Sequence, residues 1–66
     1  MFHPHSFRIG DHVKINRDLS NDEGTFDAGH EFEIIDLYVR HEAPLYDLRD
    51  AQLHLLGGVS YDDISY

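Results

Sequence analysis

The 66-residue sequence predicts one all-β domain, a small five-stranded barrel with a short 3-10 turn near its C-terminus. Two segments carry this prediction: Val13 and Ile15 alternate with polar residues, and β-branched or aromatic residues dominate Glu31–Arg40. Residues that form turns separate such short segments along the chain, as in small all-β domains. We expect residues 1–6 to form a flexible leader and residues 7–66 to form the barrel.

The first strand of the expected barrel follows a turn at Gly10–Asp11 and contains the alternating segment named above. A polar loop, Arg17–Gly24, comes next, because these residues are dense in turn formers. We expect Thr25–His30 to make a second short turn, in which Phe26 points inward.

The longest strand, Glu31–Arg40, contains a break in its apolar alternation. Phe32 and Ile34 share one face, whereas the later apolar residues share a face from Ile35 onward, so the pattern slips by one residue. A β-bulge explains such a slip, because one extra residue bends a strand and moves every later side chain to the opposite face. The sequence therefore predicts a bulged strand rather than a helix, although Phe32, Ile35 and Val39 also fit helical spacing.

The remaining elements complete the expected barrel. A turn at His41–Pro44 leads to a strand, Leu45–Arg49, in which Tyr46 and Leu48 point inward. After it we expect, in chain order, a hairpin turn at Asp50–Gln52, a return strand at Leu53–Leu56, a kink at Gly57–Gly58, the inward residue Val59, and one helical turn at Tyr61–Ile64, with Ile64 sealing the barrel end.

The composition restricts the class of protein. Cysteine is absent, which rules out disulfides and thiolate metal sites and suits a reducing compartment. No stretch approaches the roughly 20 apolar residues of a membrane span, and the N-terminus lacks the apolar segment of a secretory signal. We therefore expect a cytoplasmic protein without membrane association.

The net charge of -8 is distributed unevenly along the chain. Residues 1–21 hold three basic and two acidic side chains, whereas residues 22–66 hold two basic and eleven acidic ones. Such a surface repels nucleic-acid phosphate, since binding there depends on Lys and Arg that displace counterions. It speeds encounter with basic surfaces, so we expect another protein with a basic surface as the partner.

The order of these segments resembles that of the SH3-like small barrels, a group that includes the KOW and Tudor domains. The resemblance covers residues 7–66 as a pattern of elements. The matching segments are, in chain order, GDHVKI at Gly10–Ile15, the polar loop that ends in Gly24, the bent strand Phe32–Val39, YDLRD at Tyr46–Asp50, Gly58–Val59, and DDI at Asp62–Ile64.

This resemblance implies a module that binds peptides, modified side chains or nucleic acid, and that has no enzymatic activity of its own. Asp18, Asp22 and Glu23 crowd the loop in which the KOW signature has glycines and basic residues, which weighs against RNA as the ligand. Tyrosines fit protein contacts better, because they combine a large contact area with a polar tip.

We predict that the contact surface consists of acidic residues and tyrosines. Tyr38 is out of phase with the core face of its strand, and Tyr61 lies near the acidic C-terminus. An acidic patch with tyrosines fits a partner rich in Arg and Lys. The predicted partner-binding residues are Asp18, Asp22, Glu23, Tyr38, Tyr61, Asp62 and Asp63.

The sequence contains no recognisable catalytic motif, so we predict that the domain is not an enzyme. The serines stand in no motif with a base, and the paired carboxylates at Asp62–Asp63 fall at a chain end. His3 and His5 form the only close pair, in the leader, and the other histidines lie on different segments, so we predict no metal site and no cofactor. Protonation of the histidines could instead make association pH-sensitive. They are His3, His5, His12, His30, His41 and His54.

The sequence also permits two other functions and self-association of the domain. A small acidic protein without cysteine can imitate the charge of DNA and inhibit a nucleic-acid-binding protein, as some phage antagonists do. The domain could instead bind nucleic acid through Arg8, Lys14 and Arg17, although its overall charge disfavours this. A homodimer is the further alternative, because so small a barrel has little stability to spare.

Overall fold

A computed structural model describes residues 7–66, and the predicted leader at residues 1–6 lies outside the described residues. The described chain is all-β, which confirms this part of the predicted fold class, and none of its elements is a helix long and apolar enough to cross a membrane. The strands are β1 (His12–Ile15), β2 (Leu19–Asn21), β3 (Gly24–Phe26), β4 (Glu31–Arg40), β5 (Ala43–Arg49), β6 (Leu55–Ser60) and β7 (Ile64–Ser65). A 3-10 turn, Tyr61–Asp63, precedes β7 as the sequence predicted.

Five strands form one antiparallel sheet in the order β6-β5-β4-β1-β7, and β2 and β3 form a separate hairpin. β7 pairs with β1, so the first and last strands of the chain are neighbours. β6 and β7 lie at the two edges, and no backbone ladder joins them within residues 7–66. The described residues therefore contain a five-stranded sheet with an open hydrogen-bonded ladder, and the ladder does not close into the barrel that the sequence predicts.

The predicted bulge lies in β4. The pairing of β4 with β5 shifts register between Ile34 and Asp36, so Ile35 is the extra residue. Ile34 points into the core before the bulge, and Leu37 lies opposite the buried Tyr46 after it. β4 pairs with β1 from Glu31 to Glu33 on one edge and with β5 from Glu33 to Arg40 on the other.

One apolar core lies between the sheet and the β2–β3 hairpin. The sequence-based prediction that Phe26, Tyr46, Leu48, Val59 and Ile64 point inward is confirmed, since each is buried. Removal of this apolar surface from water is the main favourable term in folding. The core consists of Phe7, Val13, Ile15, Phe26, Phe32, Ile34, Tyr46, Leu48, Leu56, Val59 and Ile64, with Leu19 packed against it.

The structure corrects the prediction that Arg17–Gly24 is a loop. This segment contains β2 and the start of β3, and Leu19 lies opposite Phe26 in the hairpin. A two-residue turn at Asp22–Glu23 connects the strands, and Gly24 supplies a φ of +136° directly after it. The hairpin escaped prediction because only two apolar residues mark it within a polar sequence. For the same reason the second predicted turn is shorter, since β3 extends through Phe26.

The return strand begins at Leu55, two residues later than predicted. Leu53 and His54 belong instead to the turn between β5 and β6. The Asp50 carboxylate extends this turn, because it accepts hydrogen bonds from the backbone N–H groups of Gln52 (3.0 Å) and His54 (2.8 Å). Such side-chain acceptance competes with strand pairing.

The turn between β4 and β5 consists of His41 and Glu42, so it is shorter than the predicted His41–Pro44, and Pro44 already lies in β5. Both turn residues have positive φ, 54° and 66°. Two such residues between paired strand ends define a type I′ turn, which favours Asn-Gly. A Cβ in this conformation costs about 1–2 kcal/mol per residue.

Glu42→Gly should therefore raise the free energy of unfolding by about 1 kcal/mol, because glycine adopts positive φ without a Cβ clash. Urea denaturation followed by circular dichroism measures the change. Ala43→Gly is the matched control in an extended strand and should lower the same quantity by about 0.5–1 kcal/mol. A destabilised Glu42→Gly variant would contradict the type I′ assignment.

Candidate functional site

Three of the predicted partner-binding residues, Asp18, Asp22 and Glu23, lie on the β2–β3 hairpin. Asp18 precedes β2, and its carboxylate accepts a hydrogen bond from the backbone N–H of Ala28 (2.8 Å). Asp22 and Glu23 form the exposed tip, where Glu23 Oε1 accepts a long hydrogen bond from the backbone N–H of Leu55 (3.4 Å). The hairpin tip therefore touches the start of β6.

Three others, Tyr61, Asp62 and Asp63, form the 3-10 turn between β6 and β7. Arg17 donates two hydrogen bonds to the carboxylate of Asp63 (3.0 and 3.1 Å), and these bonds raise the pKa of Arg17. Ser60 Oγ caps the turn by accepting a hydrogen bond from the backbone N–H of Asp62 (3.2 Å). The salt bridge thus joins the hairpin base to the 3-10 turn, whereas Tyr61 and Asp62 remain exposed.

Tyr38 lies on the outer face of β4. Its hydroxyl donates a hydrogen bond to Asp47 Oδ1 (3.1 Å), which also accepts one from the backbone N–H of Gly58 (3.0 Å). The hydrogen bond to Asp47 and burial raise the pKa of Tyr38. The Arg40 guanidinium lies 5.9 Å from the ring centroid, within cation–π range. Tyr38 is therefore fixed by contacts that span β4, β5 and β6.

The structure brings some of these residues together and separates others. Asp18 directly follows Arg17, whose guanidinium binds Asp63 at the hairpin base. The hairpin tip contacts Leu55 at the start of β6, whereas the 3-10 turn follows Ser60 at its end. β6 spans roughly 15–20 Å, so the hairpin tip and the 3-10 turn form two separate acidic regions of the surface.

The structure also contains a polar cluster that sequence analysis missed. Oδ2 of Asp50 lies within hydrogen-bonding distance of His30 Nε2 (3.0 Å) and His54 Nδ1 (2.9 Å). Oδ1 accepts the two backbone N–H groups that define the β5–β6 turn. The side chain of Asp50 is only 1% exposed, and a carboxylate is rarely buried so deeply without such partners.

The electrostatics of this cluster keep Asp50 ionised. Burial raises the pKa of the Asp50 carboxyl, but hydrogen bonds from His54 and His30 outweigh burial and hold that pKa well below its usual range. Phe26 packs against both imidazoles, with ring centroids 5.4 Å from His30 and 5.8 Å from His54. The cluster is therefore continuous with the apolar core.

Only part of this cluster has a sequence signal. An Asp at the start of a turn commonly accepts the N–H of the residue two positions later, as Asp50 does from Gln52. His30 is 20 residues away, and no local pattern links it to Asp50. Within residues 7–66, no three His, Asp or Glu side chains are arranged to hold a metal ion.

No protein family, curated protein or solved structure matches this chain. Its function must therefore be inferred from the described residues. These offer an acidic hairpin, an exposed 3-10 turn and a buried carboxylate with two histidine partners.

Asp50→Asn should lower the stability of the domain at pH 7, because the amide carries no charge and cannot accept all four hydrogen bonds. Since the folded-state pKa of Asp50 is lowered, its ionised form stabilises the fold above about pH 4. That contribution is lost as the pH falls below this value. The urea midpoints of wild type and variant should therefore begin to approach each other below about pH 5, and they should draw closer as the pH falls toward the lowered folded-state pKa of Asp50.

The matched control is Asp27→Asn, which neutralises an exposed carboxylate in the β3–β4 connection. It should change the urea midpoint little at any pH. A deficit of Asp50→Asn that stays constant from pH 7 to pH 3 would mean that the charge of Asp50 does not stabilise the fold.

Proposed function

We propose that this chain is a non-enzymatic, cytoplasmic module of the SH3-like small-barrel class that binds another protein. Its partner has a basic surface or belongs to a larger assembly into which the domain docks. The proposed contact surface comprises the β2–β3 hairpin and the 3-10 turn, with Tyr38 on the adjoining outer face of the sheet.

The connectivity of the sheet supports the proposed class. β7 returns beside β1, the bulge bends the long strand β4, and a 3-10 turn precedes the last strand. The bulged long strand and the 3-10 turn near the C-terminus are features that the sequence analysis expects. The hairpin places Phe26 in the core, so the sheet and the hairpin enclose the same apolar side chains. This arrangement favours a sheet that curls around one small interior filled by side chains.

The observation that carries the proposed function is a surplus of carboxylates without basic neighbours. The chain has 13 acidic side chains and 5 Lys or Arg. Among residues 7–66, arginine pairs with a carboxylate in Arg17–Asp63 and in Arg49–Glu33 (3.5 Å). Most of the other carboxylates are exposed, so they project a negative potential that attracts a basic protein surface.

Asp22 and Asp62 are the best placed of the proposed contact residues, because both are exposed and neither pairs with an arginine. Asp63 and Tyr38 already make side-chain hydrogen bonds, so they shape the surface on which a partner rests. Tyr61, which is 38% exposed, adds aromatic contact area.

A pull-down from lysate of the source cells tests the proposal at about 50 and 300 mM salt, a range over which surface charges become substantially screened. We expect a basic protein that is retained at low salt and lost at high salt. Replacement of Asp22 and Asp62 together by Ser should weaken its binding about fivefold, since exposed ion pairs contribute up to about 1 kcal/mol each.

The matched control replaces Asp36 and Glu42 by Ser, which removes the same charge from β4 and its turn. Equal weakening by both double variants would exclude the hairpin and the 3-10 turn as the contact surface. DNA added to the captured complex separates two functions: an undisturbed complex supports docking, whereas displacement supports a DNA-mimic inhibitor. Failure to retain any basic protein at low salt would contradict the proposed function.

A further inference from the structure

The turn between β5 and β6 holds a leucine in a conformation that leucine disfavours. The backbone N–H of Leu53 donates to the carbonyl of Asp50 (3.0 Å), and the N–H of Asp50 donates to the carbonyl of His54 (3.0 Å). These two bonds close a three-residue hairpin loop. Leu53 has a φ of +69°, at the position where such loops ordinarily carry glycine. Its Cβ makes this conformation unfavourable.

Folding provides no reason for a leucine at this position. The Leu53 side chain is 70% exposed, so it gains little from burial while its backbone is strained. Leu55, at the start of β6, is also exposed, by 48%. Strain at a residue other than glycine persists where the surroundings enforce it, and such residues cluster at functional sites.

The surroundings of Leu53 enforce its position firmly. The buried carboxylate of Asp50 holds the loop at its middle residue and at the residue that follows it, through the backbone N–H groups of Gln52 and His54. The imidazoles of His30 and His54 hold that carboxylate in turn. A side chain on so rigid a support is already ordered before it meets a partner, which lowers the entropic cost of binding.

The electrostatic surroundings of this turn are acidic. The hairpin tip bonds to the backbone of Leu55, and an open cavity of about 230 Å³ adjoins the turn at Ala51. Carboxylates outnumber cations there, so a basic segment fits beside the leucines. The charged side chains near the turn are Asp22 and Glu23 of the tip and, along the cavity, Glu31 and Glu33 of β4 and Arg49 of β5.

We propose that Leu53, with Leu55 beside it, is the apolar anchor of the protein-binding surface. The segment that it receives carries an apolar side chain next to Lys or Arg. The proposal rests on the protein-binding function proposed above and names a part of the surface that the acidic residues alone do not define. A small apolar anchor within a charged rim is the usual arrangement of a protein interface.

Two synthetic peptides test the anchor without knowledge of the natural partner. One repeats Arg-Leu-Gly-Ser, and the other repeats Arg-Ser-Gly-Ser, so both carry the same charge. Fluorescence anisotropy of labelled peptides at about 50 mM salt measures their affinities under weak screening. Wild type should bind the leucine peptide about fivefold more tightly. The reason is that a leucine of the peptide is removed from water only when it contacts an apolar surface of the domain.

Leu53→Asn should bring this affinity ratio close to one, and it should also raise the midpoint of thermal unfolding, since Asn tolerates positive φ better than Leu. Val39→Asn is the matched control. Val39 is equally exposed, at 70%, but lies near the other end of β5, so its replacement should leave the ratio unchanged. Loss of stability in Leu53→Asn would show that the leucine serves folding, which would overturn the proposal.

The outcomes distinguish this proposal from the broader function. Equal binding of both peptides to wild type would overturn the anchor and leave the acidic surface supported. No binding of either peptide would contradict the acidic surface as well. Self-association of wild type in sedimentation velocity, abolished by Leu53→Asn, would identify a second copy of the chain as the occupant and overturn the basic segment.

Discussion

The buried carboxylate of Asp50 connects parts of the chain that the strand ladders leave separate. His54 precedes β6, whereas His30 lies in the connection from the hairpin to β4, and both imidazoles meet the same carboxylate oxygen. Because an ionised carboxylate away from water requires such partners, the position of each segment is fixed by the others. The β5–β6 turn, the hairpin and the start of the long strand therefore form one cooperative unit around Asp50.

Side-chain contacts also connect the edges of the sheet to distant parts of the chain. The sheet is an open ladder, yet Asn21 donates a hydrogen bond to the carbonyl of Leu55 at the β6 edge. Near the chain ends, the hydroxyl of Tyr66 donates to Asp11 (2.7 Å), and Phe7 packs against the Tyr66 ring (5.0 Å). A chain this short has a small core, and this one has no cysteine with which to form a disulfide. Polar contacts between residues that are far apart in the sequence hold these edges instead.

The sequence predicted the elements whose signal is local. The slip at Ile34–Ile35 located the bulge, and strict alternation placed Tyr46 and Leu48 in the core. It failed where structure depends on distant partners or on uncommon turn residues. The type I′ turn at His41 and Glu42 contains no glycine, so the sequence lacks the usual signal for such a turn. The β2–β3 hairpin forms because Phe26 packs into a core that the rest of the chain provides. The proposed acidic surface followed from composition, whereas the Asp50 cluster joins residues that no local sequence pattern links.

Stability and binding place opposite demands on the β5–β6 turn. Glycine or asparagine at position 53 would suit the loop, and a polar residue would suit an exposed site. Leucine satisfies neither requirement, although the Asp50 network is stable enough to hold it. The same network that stabilises the small core therefore also holds an apolar side chain in water, among carboxylates that repel one another. Both features are unfavourable in the isolated domain, and both become favourable against a surface that is basic and partly apolar. We therefore place the apolar anchor of the binding surface at this turn.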